Sequence, residues 1–315
     1  MNPKLRARAD ASGGVFSRRD ALDCGYTPEQ VRHRLADGRW RRIRRGYYAE
    51  PGDDYDALPA WERELFDHRL AVHAVARSVC PGSVAISHWS ALVMHGIPVW
   101  AVDLGTVHLT RIAGRSSRTA DGLCQHVGKI HPDDLIEVGG LLVTSPTRAL
   151  VETACVAEFD SIVVSADAAL RDGLVSRDAA GRLLRETLFW PGGPRARAAL
   201  AFADGRAESV GESRLRLLMD RHALPRPMLQ TRFRDGDGDF VGRVDFYFRD
   251  QGVVVEFDGR TKYGSDTRDA ILAEKEREDR LRGLGLIVVR ITWHELDQPS
   301  IVVARIRRAF ARAAA

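Results

Sequence analysis

The residues with the clearest capacity for chemistry are three acids within "GRVDFYFRDQGVVVEFDG", residues 242–259. With Arg249 to Gly252 as the turn, Asp245 falls directly opposite Glu256, and opposed residues on paired strands point to one face. Asp258 joins them two residues on. Val244, Phe246, Phe248, Val253, Val255 and Phe257 fill the other face. A slip of one residue would turn the acids into that apolar face, so the pattern argues for this register. Like charges directly opposed destabilise a sheet, and a bound cation, neighbouring Arg and Lys, or a proton must offset the repulsion. A hard divalent cation such as Mg²⁺ or Mn²⁺ takes carboxylate oxygens together with water and phosphate. Held by Asp245 and Glu256, it would activate an attacking water and stabilise charge growing on a phosphodiester.

The elements that must position these acids are legible on either side. "ESVGESRLRLLMDRHAL" predicts a helix bearing Glu212, with Leu215, Leu218 and Met219 at helical spacing. After the hairpin, "SDTRDAILAEKEREDRLRGLG" predicts a helix with an unbroken charged run from Glu274 to Arg280. Taken alone that run reads as a solvated face, with Lys275–Asp279 and Glu276–Arg280 able to pair at i,i+4. "LIVVRITW" is an apolar strand. Helix, hairpin, helix, strand, helix is the order of a mixed sheet flanked by helices.

This layout resembles the PD-(D/E)XK nuclease fold, and within it the Vsr-like endonuclease domains, over residues 207–312. The resemblance implies a Mg²⁺- or Mn²⁺-dependent DNA endonuclease. Its catalytic residues would be Glu212, Asp245, Glu256 and Asp258, with Asp245 and Glu256 as the metal ligands. Where the general motif has Lys two residues after the second acid, this chain has Asp258, and Lys262 in "DGRTKY" becomes a candidate electrostatic helper. Arg290 and His294 are weaker candidates. The competing expectation is an acid cluster satisfied by arginines, in a nuclease fold that no longer cuts.

The net charge of +4 is unevenly placed: residues 1–46 hold twelve Lys and Arg against five Asp and Glu. A basic head of this kind points towards phosphate backbones. In "SRRDALDCG" Ser17 is an N-cap with Asp20 three residues on, and in "TPEQVRHRLADG" Thr27 caps, Pro28 opens the helix and Gln30 closes a capping box. Two helices joined by a tight turn make a helix-turn-helix. Val31 and Leu35 face its core. "WRRIRRGYYAE" then reads as a two-stranded wing bent at Gly46. Arg32, Arg34, Arg39, Arg41, Arg42, Arg44 and Arg45 are the expected DNA contacts, mostly to phosphate.

The segment "GVFSRRDALDCGYTPEQVRHRLADGRWRRIRRGYYA" resembles the winged-helix domain of AbiEi-type antitoxins of type IV toxin–antitoxin systems. The likeness continues through "AISHWSALVMHGIPV" and "VTSPTRALVETA". It implies DNA binding or transcriptional control, and a protein partner from a toxin–antitoxin pair.

Between these ends the chain says less. "ALPAWERELFDHRLAVHAVARSV" and "SHWSALVMHG" read as amphipathic helices. "GTVHLTRI", "LCQHVGKI" and "GGLLVTSP" read as strands, and Ser145 before Pro146 caps another helix. His88, His95, His108, His126 and His131 lack HxxxH spacing and are expected to be packed or surface residues. Four scattered cysteines without CxxC spacing read as reduced, buried thiols. No nucleophile elbow, Walker loop or GxGxxG occurs. No apolar run is long enough to span a bilayer and the N-terminus has no signal-like apolar stretch, so a cytoplasmic location is expected. The expected architecture is α/β (α+β): a winged helix-turn-helix over 1–51, a mixed α/β middle domain over 52–206 and a restriction-endonuclease-like mixed sheet flanked by helices over 207–315.

Overall fold

The computed structural model describes residues 1–52, 54–80, 82–112, 118–120, 122–187, 189–259 and 268–314. Its contacts divide the chain into two units, one of residues 1–165 and 174–200, the other of residues 166–173 and 201–315. Among the described residues the fold is mixed α/β with three sheets. No helix among the described residues is long and apolar enough to cross a membrane.

The first unit opens with α1 (Pro3–Asp10), β1 (Val15–Ser17), α2 (Arg18–Asp23), α3 (Pro28–Ala36), β2 (Arg41–Arg44) and β3 (Tyr47–Ala49). Both expected capping boxes form, Ser17 with Asp20 and Thr27 with Gln30. Helix α1 was not anticipated. Asn2 caps it by accepting from the Leu5 amide at 2.9 Å, and Leu5 and Ala9 are its buried residues. The strands pair in the order β1-β3-β2, which completes a three-helix, three-strand winged helix. Its core is aromatic: Trp40 sits edge-on to Phe16 and Tyr26, with ring centroids 4.7 and 4.9 Å away. Burying aromatic rings of this size stabilises by about 2–3 kcal/mol each.

The rest of this unit runs α4 (Ala60–Ala76), β4 (Val84–Ile86), α5 (His88–Met94), β5 (Val107–Arg111), β6 (Arg118–Ala120), β7 (Leu123–Val127), β8 (Leu135–Val138), β9 (Leu141–Thr144) and α6 (Pro146–Val156). Then come α7 (Phe159–Arg171), α8 (Arg177–Glu186) and α9 (Gly193–Phe202), of which α7 and α9 continue into the second unit. Ser145 caps α6 by accepting from the Arg148 amide at 3.3 Å. The six strands order as β6-β7-β5-β4-β9-β8, with β5 and β7 parallel neighbours. Of the four cysteines, all free, only Cys155 is buried; Cys80 is exposed and Cys24 and Cys124 are half-buried. This corrects the expectation of four buried thiols, since Cys80 lies just past the end of α4, beyond the packed face.

The second unit contains α10 (Val210–Arg221), β10 (Met228–Arg234), β11 (Phe240–Phe248), β12 (Val253–Asp258), α11 (Arg268–Gly283), β13 (Ile287–Thr292), α12 (Trp293–Leu296) and α13 (Pro299–Ala313). Strands β10 to β13 lie in chain order, antiparallel except that β12 and β13 run parallel across α11. The sequence reading lacked β10. One face of the sheet packs Phe246, Phe248, Val253 and Val255 against Leu215, Met219, Val302 and Ile306. On the other, Val241, Val254 and Leu286 meet Leu281 of α11. Val244, assigned to the first face by alternation, joins this second cluster. Beside it, Gln230 has a φ of +53° between the Leu229–Phe246 and Thr231–Val244 pairs of the β10–β11 ladder. Helix α10 is anchored by a buried pair: Arg216 donates to both oxygens of Asp167 at 2.8 and 2.7 Å, and Ser213 donates at 2.7 Å.

Candidate functional site

The hairpin forms with the expected turn, a 3-10 segment over Arg249–Gln251 closed by Gly252 at φ +61°. Pairing runs Phe248 with Val253 through Phe246 with Val255, which makes Asp245 and Glu256 the next opposed pair. Both line a cleft of about 220 Å³ that Asp258 and Glu274 also border. Asp258 is paired in register with Thr292 on β13. Lys262 lies outside the described residues.

The acids are held by an arginine network, the competing expectation, with Arg277 as a partner that the sequence did not single out. Arg277 of α11 donates to both oxygens of Glu256 at 2.9 Å and to Glu274 at 2.7 Å. Arg290 of β13 stands 3.7 Å from Glu256 and pairs with Glu274 and, at 2.8 Å, with Glu278. The charged run expected to be a solvated face therefore turns Glu274 and Arg277 inwards, and Arg280 reaches Asp235 at 2.9 Å rather than its helical neighbour. Asp245 accepts from the Phe257 amide at 2.8 Å and from Gln230 Nε2 at 3.3 Å. The same Gln230 amide donates to Glu212 at 3.0 Å, so one side chain in a left-handed backbone conformation bridges two carboxylates. Burial holds Asp245, Glu256 and Glu212 above the ordinary carboxylate range, against the lowering influence of these donors. Gly211 is required beside Glu212, because a β-carbon there would stand 2.0 Å from the Phe257 ring.

The arginines of the winged helix divide by surroundings. Arg32, Arg39, Arg42 and Arg45 are exposed. Arg32 touches Glu29 and Arg39 touches Asp37, both at 3.2 Å and both open to solvent. Such pairs hold a side chain only weakly. Arg34 is half-buried over the Tyr26 and Trp40 rings. Arg44 is half-buried with one guanidinium nitrogen lacking a partner. Arg41 departs most from expectation: it is clamped by Asp67 of α4 at 2.8 and 2.7 Å and covers the Tyr55 ring. Asp67 is twenty-six residues away, which is why the wing sequence alone gave no sign of it.

A third cluster was set aside by spacing and assembled by the fold. His88, His108 and His126 bring their ligand nitrogens within 4.8 Å of one another. His95 and His131 stand apart, bonded to the Thr144 carbonyl and the Asp133 amide. The parallel β5–β7 pairing does this, and nothing in the local sequence announces it.

Residues 3–51 match the family described as "Transcriptional regulator, AbiEi antitoxin". The chain opens with an AbiEi-type antitoxin domain. That domain covers the winged helix from α1 to β3 and carries Arg32, Arg39, Arg42 and Arg45. Two Mycobacterium tuberculosis proteins, "Uncharacterized protein Rv2248" of strain H37Rv and "Uncharacterized protein MT2308" of strain CDC 1551, are each 34% identical over 180 residues. That stretch is 57% of this chain and 65% of each relative, so the match spans just under two thirds of their length. The crystal structure of the Rv2827c protein from the same species is similar at 16% identity with a TM-score of 0.37, over 64% of this chain and 83% of that one.

Proposed function

We propose that the chain is a DNA-binding transcriptional regulator of the AbiEi-antitoxin kind, with a protein toxin as the partner class that this likeness implies. The observation that carries the reading is the AbiEi-type winged helix, with exposed Arg32 on α3 and Arg42 and Arg45 on the wing. Arginines placed this way meet phosphates on both sides of a groove and supply affinity more than sequence choice. Fluorescence anisotropy with labelled duplex DNA tests it. Binding should need no Mg²⁺ and persist in EDTA, and the DNA should stay intact with the metal present. Absence of binding at low salt would overturn the reading.

A second reading, a Mg²⁺-dependent endonuclease of Vsr-like PD-(D/E)XK type, is favoured by one observation: Asp245, Glu256 and Asp258 border the same cleft. As arranged, the carboxylates do not fit a divalent ion. Arg277 occupies both oxygens of Glu256, and Asp245 is engaged by the Phe257 amide and Gln230. An acid cluster neutralised by arginine is what a non-catalytic descendant of such a fold would keep. Incubation of labelled duplex, nicked and single-stranded DNA with Mg²⁺ or Mn²⁺, beside EDTA and Asp245→Ala controls, decides between the two. Metal-dependent products that vanish in the variant would put the nuclease first.

A further inference from the structure

His108 on β5 and His126 on β7 come from parallel neighbouring strands whose register sets His108 beside Cys124 and Thr110 beside His126. Their Nδ1 and Nε2 atoms lie 2.8 Å apart and share one hydrogen. His88 enters from the first residue of α5 with a φ of +53°, a conformation that a residue with a β-carbon holds only where its surroundings impose it. Its ring stacks on that of His126 at a centroid distance of 3.7 Å. The Cys124 thiol adds a soft donor 3.4 Å from His126 Nε2.

The geometry points to a site for a divalent transition metal, with Zn²⁺ the ion best suited to this ligand set, built from His88, His108 and His126 and reached through the adjoining cavity. Zinc–imidazole bonds of ~2.1 Å place tetrahedral ligand nitrogens ~3.4 Å apart. The 2.8 Å His108–His126 contact therefore opens by about 0.6 Å, and His126 tilts off His88 so that their in-plane lone pairs converge. An outer partner is in place: Ser87 Oγ stands 2.9 Å from His88 Nδ1 and fixes that ring's orientation, with Glu152, held by Arg148 at 2.8 Å, behind it at 3.8 Å. His88, His126 and Thr110 line a cavity of about 270 Å³. The Thr110 hydroxyl is buried without a hydrogen-bond partner, which a metal-bound water would supply. Burial holds all three rings below the ordinary histidine value, His108 at about 3, so they stand in the neutral form that ligates metals.

The test loads the chelator-stripped full chain with Zn²⁺, and separately with Co²⁺, and measures stoichiometry by calorimetry. One equivalent per chain is expected, with a tetrahedral Co²⁺ absorption band and a rise in melting temperature. His108→Ala and His126→Ala should lose the equivalent while His95→Gln keeps it. Should the variants misfold, X-ray absorption on zinc-loaded wild type still decides, because it counts the imidazoles on the metal. Three imidazoles support the site. No stoichiometric binding, fewer than three imidazoles, or full retention in the folded His108→Ala variant would overturn it.

Discussion

Arg41 donates both terminal guanidinium nitrogens to the Asp67 carboxylate at 2.8 and 2.7 Å, and its guanidinium carbon lies 4.3 Å from the centre of the Tyr55 ring. An arginine at the base of the wing is thereby committed to fastening that wing to α4. Arg41→Ala should therefore lower stability by roughly 1 kcal/mol, the pair being about one-third exposed. Its effect on DNA affinity should be smaller than that of Arg42→Ala or Arg45→Ala. Thermal melting and anisotropy on the same preparations check both halves. A wild-type melting temperature with a large affinity loss would contradict the assignment.

Removing Arg277 takes both hydrogen bonds from Glu256, a carboxylate that is only 8% exposed. Arg277→Ala should cost about 2 kcal/mol, because it removes the cation hydrogen-bonded to Glu256 and leaves Arg290, at 3.7 Å, to compensate the charge in part. Adding Glu256→Gln should recover most of that loss. Urea unfolding of the two single variants and the double variant gives the coupling. Additive effects would mean that Arg277 is not what neutralises Glu256.

Acid should unfold the first unit ahead of its carboxylates' ordinary titration, because of its buried histidines. His108 falls from an ordinary value of 6.5 to about 3 in the fold, mainly by burial, and the folded state therefore binds fewer protons than the unfolded chain in that window. Stability is fully present above pH ~6.5 and is lost as pH falls from there towards 3. His88 and His68 are lowered as well and act in the same direction. Denaturation midpoints at intervals between pH 7 and pH 4 should decline, and His108→Asn should flatten the decline relative to wild type. A flat wild-type profile would contradict the buried, neutral state of these rings.

Local grammar was the part of this chain legible in its sequence. The Ser17 and Thr27 capping boxes, the Ser145 cap and the Arg249–Gly252 turn each depend on residues within four positions, and each formed. The hairpin register from Phe246–Val255 to Phe248–Val253 followed because one face had to be apolar, although Val244 turns to the other face. Helix α1 was missed because only Leu5 and Ala9 mark its buried side among Arg, Lys and Asp. Contacts between distant segments were also hidden: Arg41 with Asp67, Arg277 with Glu256, and the three histidines that two parallel strands and a helix start bring together. Charge runs and scattered histidines carry no periodicity that records which partner the fold will supply.

In the proposed function the AbiEi-type domain binds DNA through exposed arginines. The most direct measurement is the dependence of duplex affinity on salt, for wild type and for the variant with Arg32, Arg39, Arg42 and Arg45 all replaced by Ala, both shown folded by circular dichroism. Wild type should weaken steeply as salt rises, and the variant's log–log slope should shrink by about 0.9 for each replaced arginine that met a phosphate. A slope that is flat in wild type, or unchanged in the variant, would contradict the account.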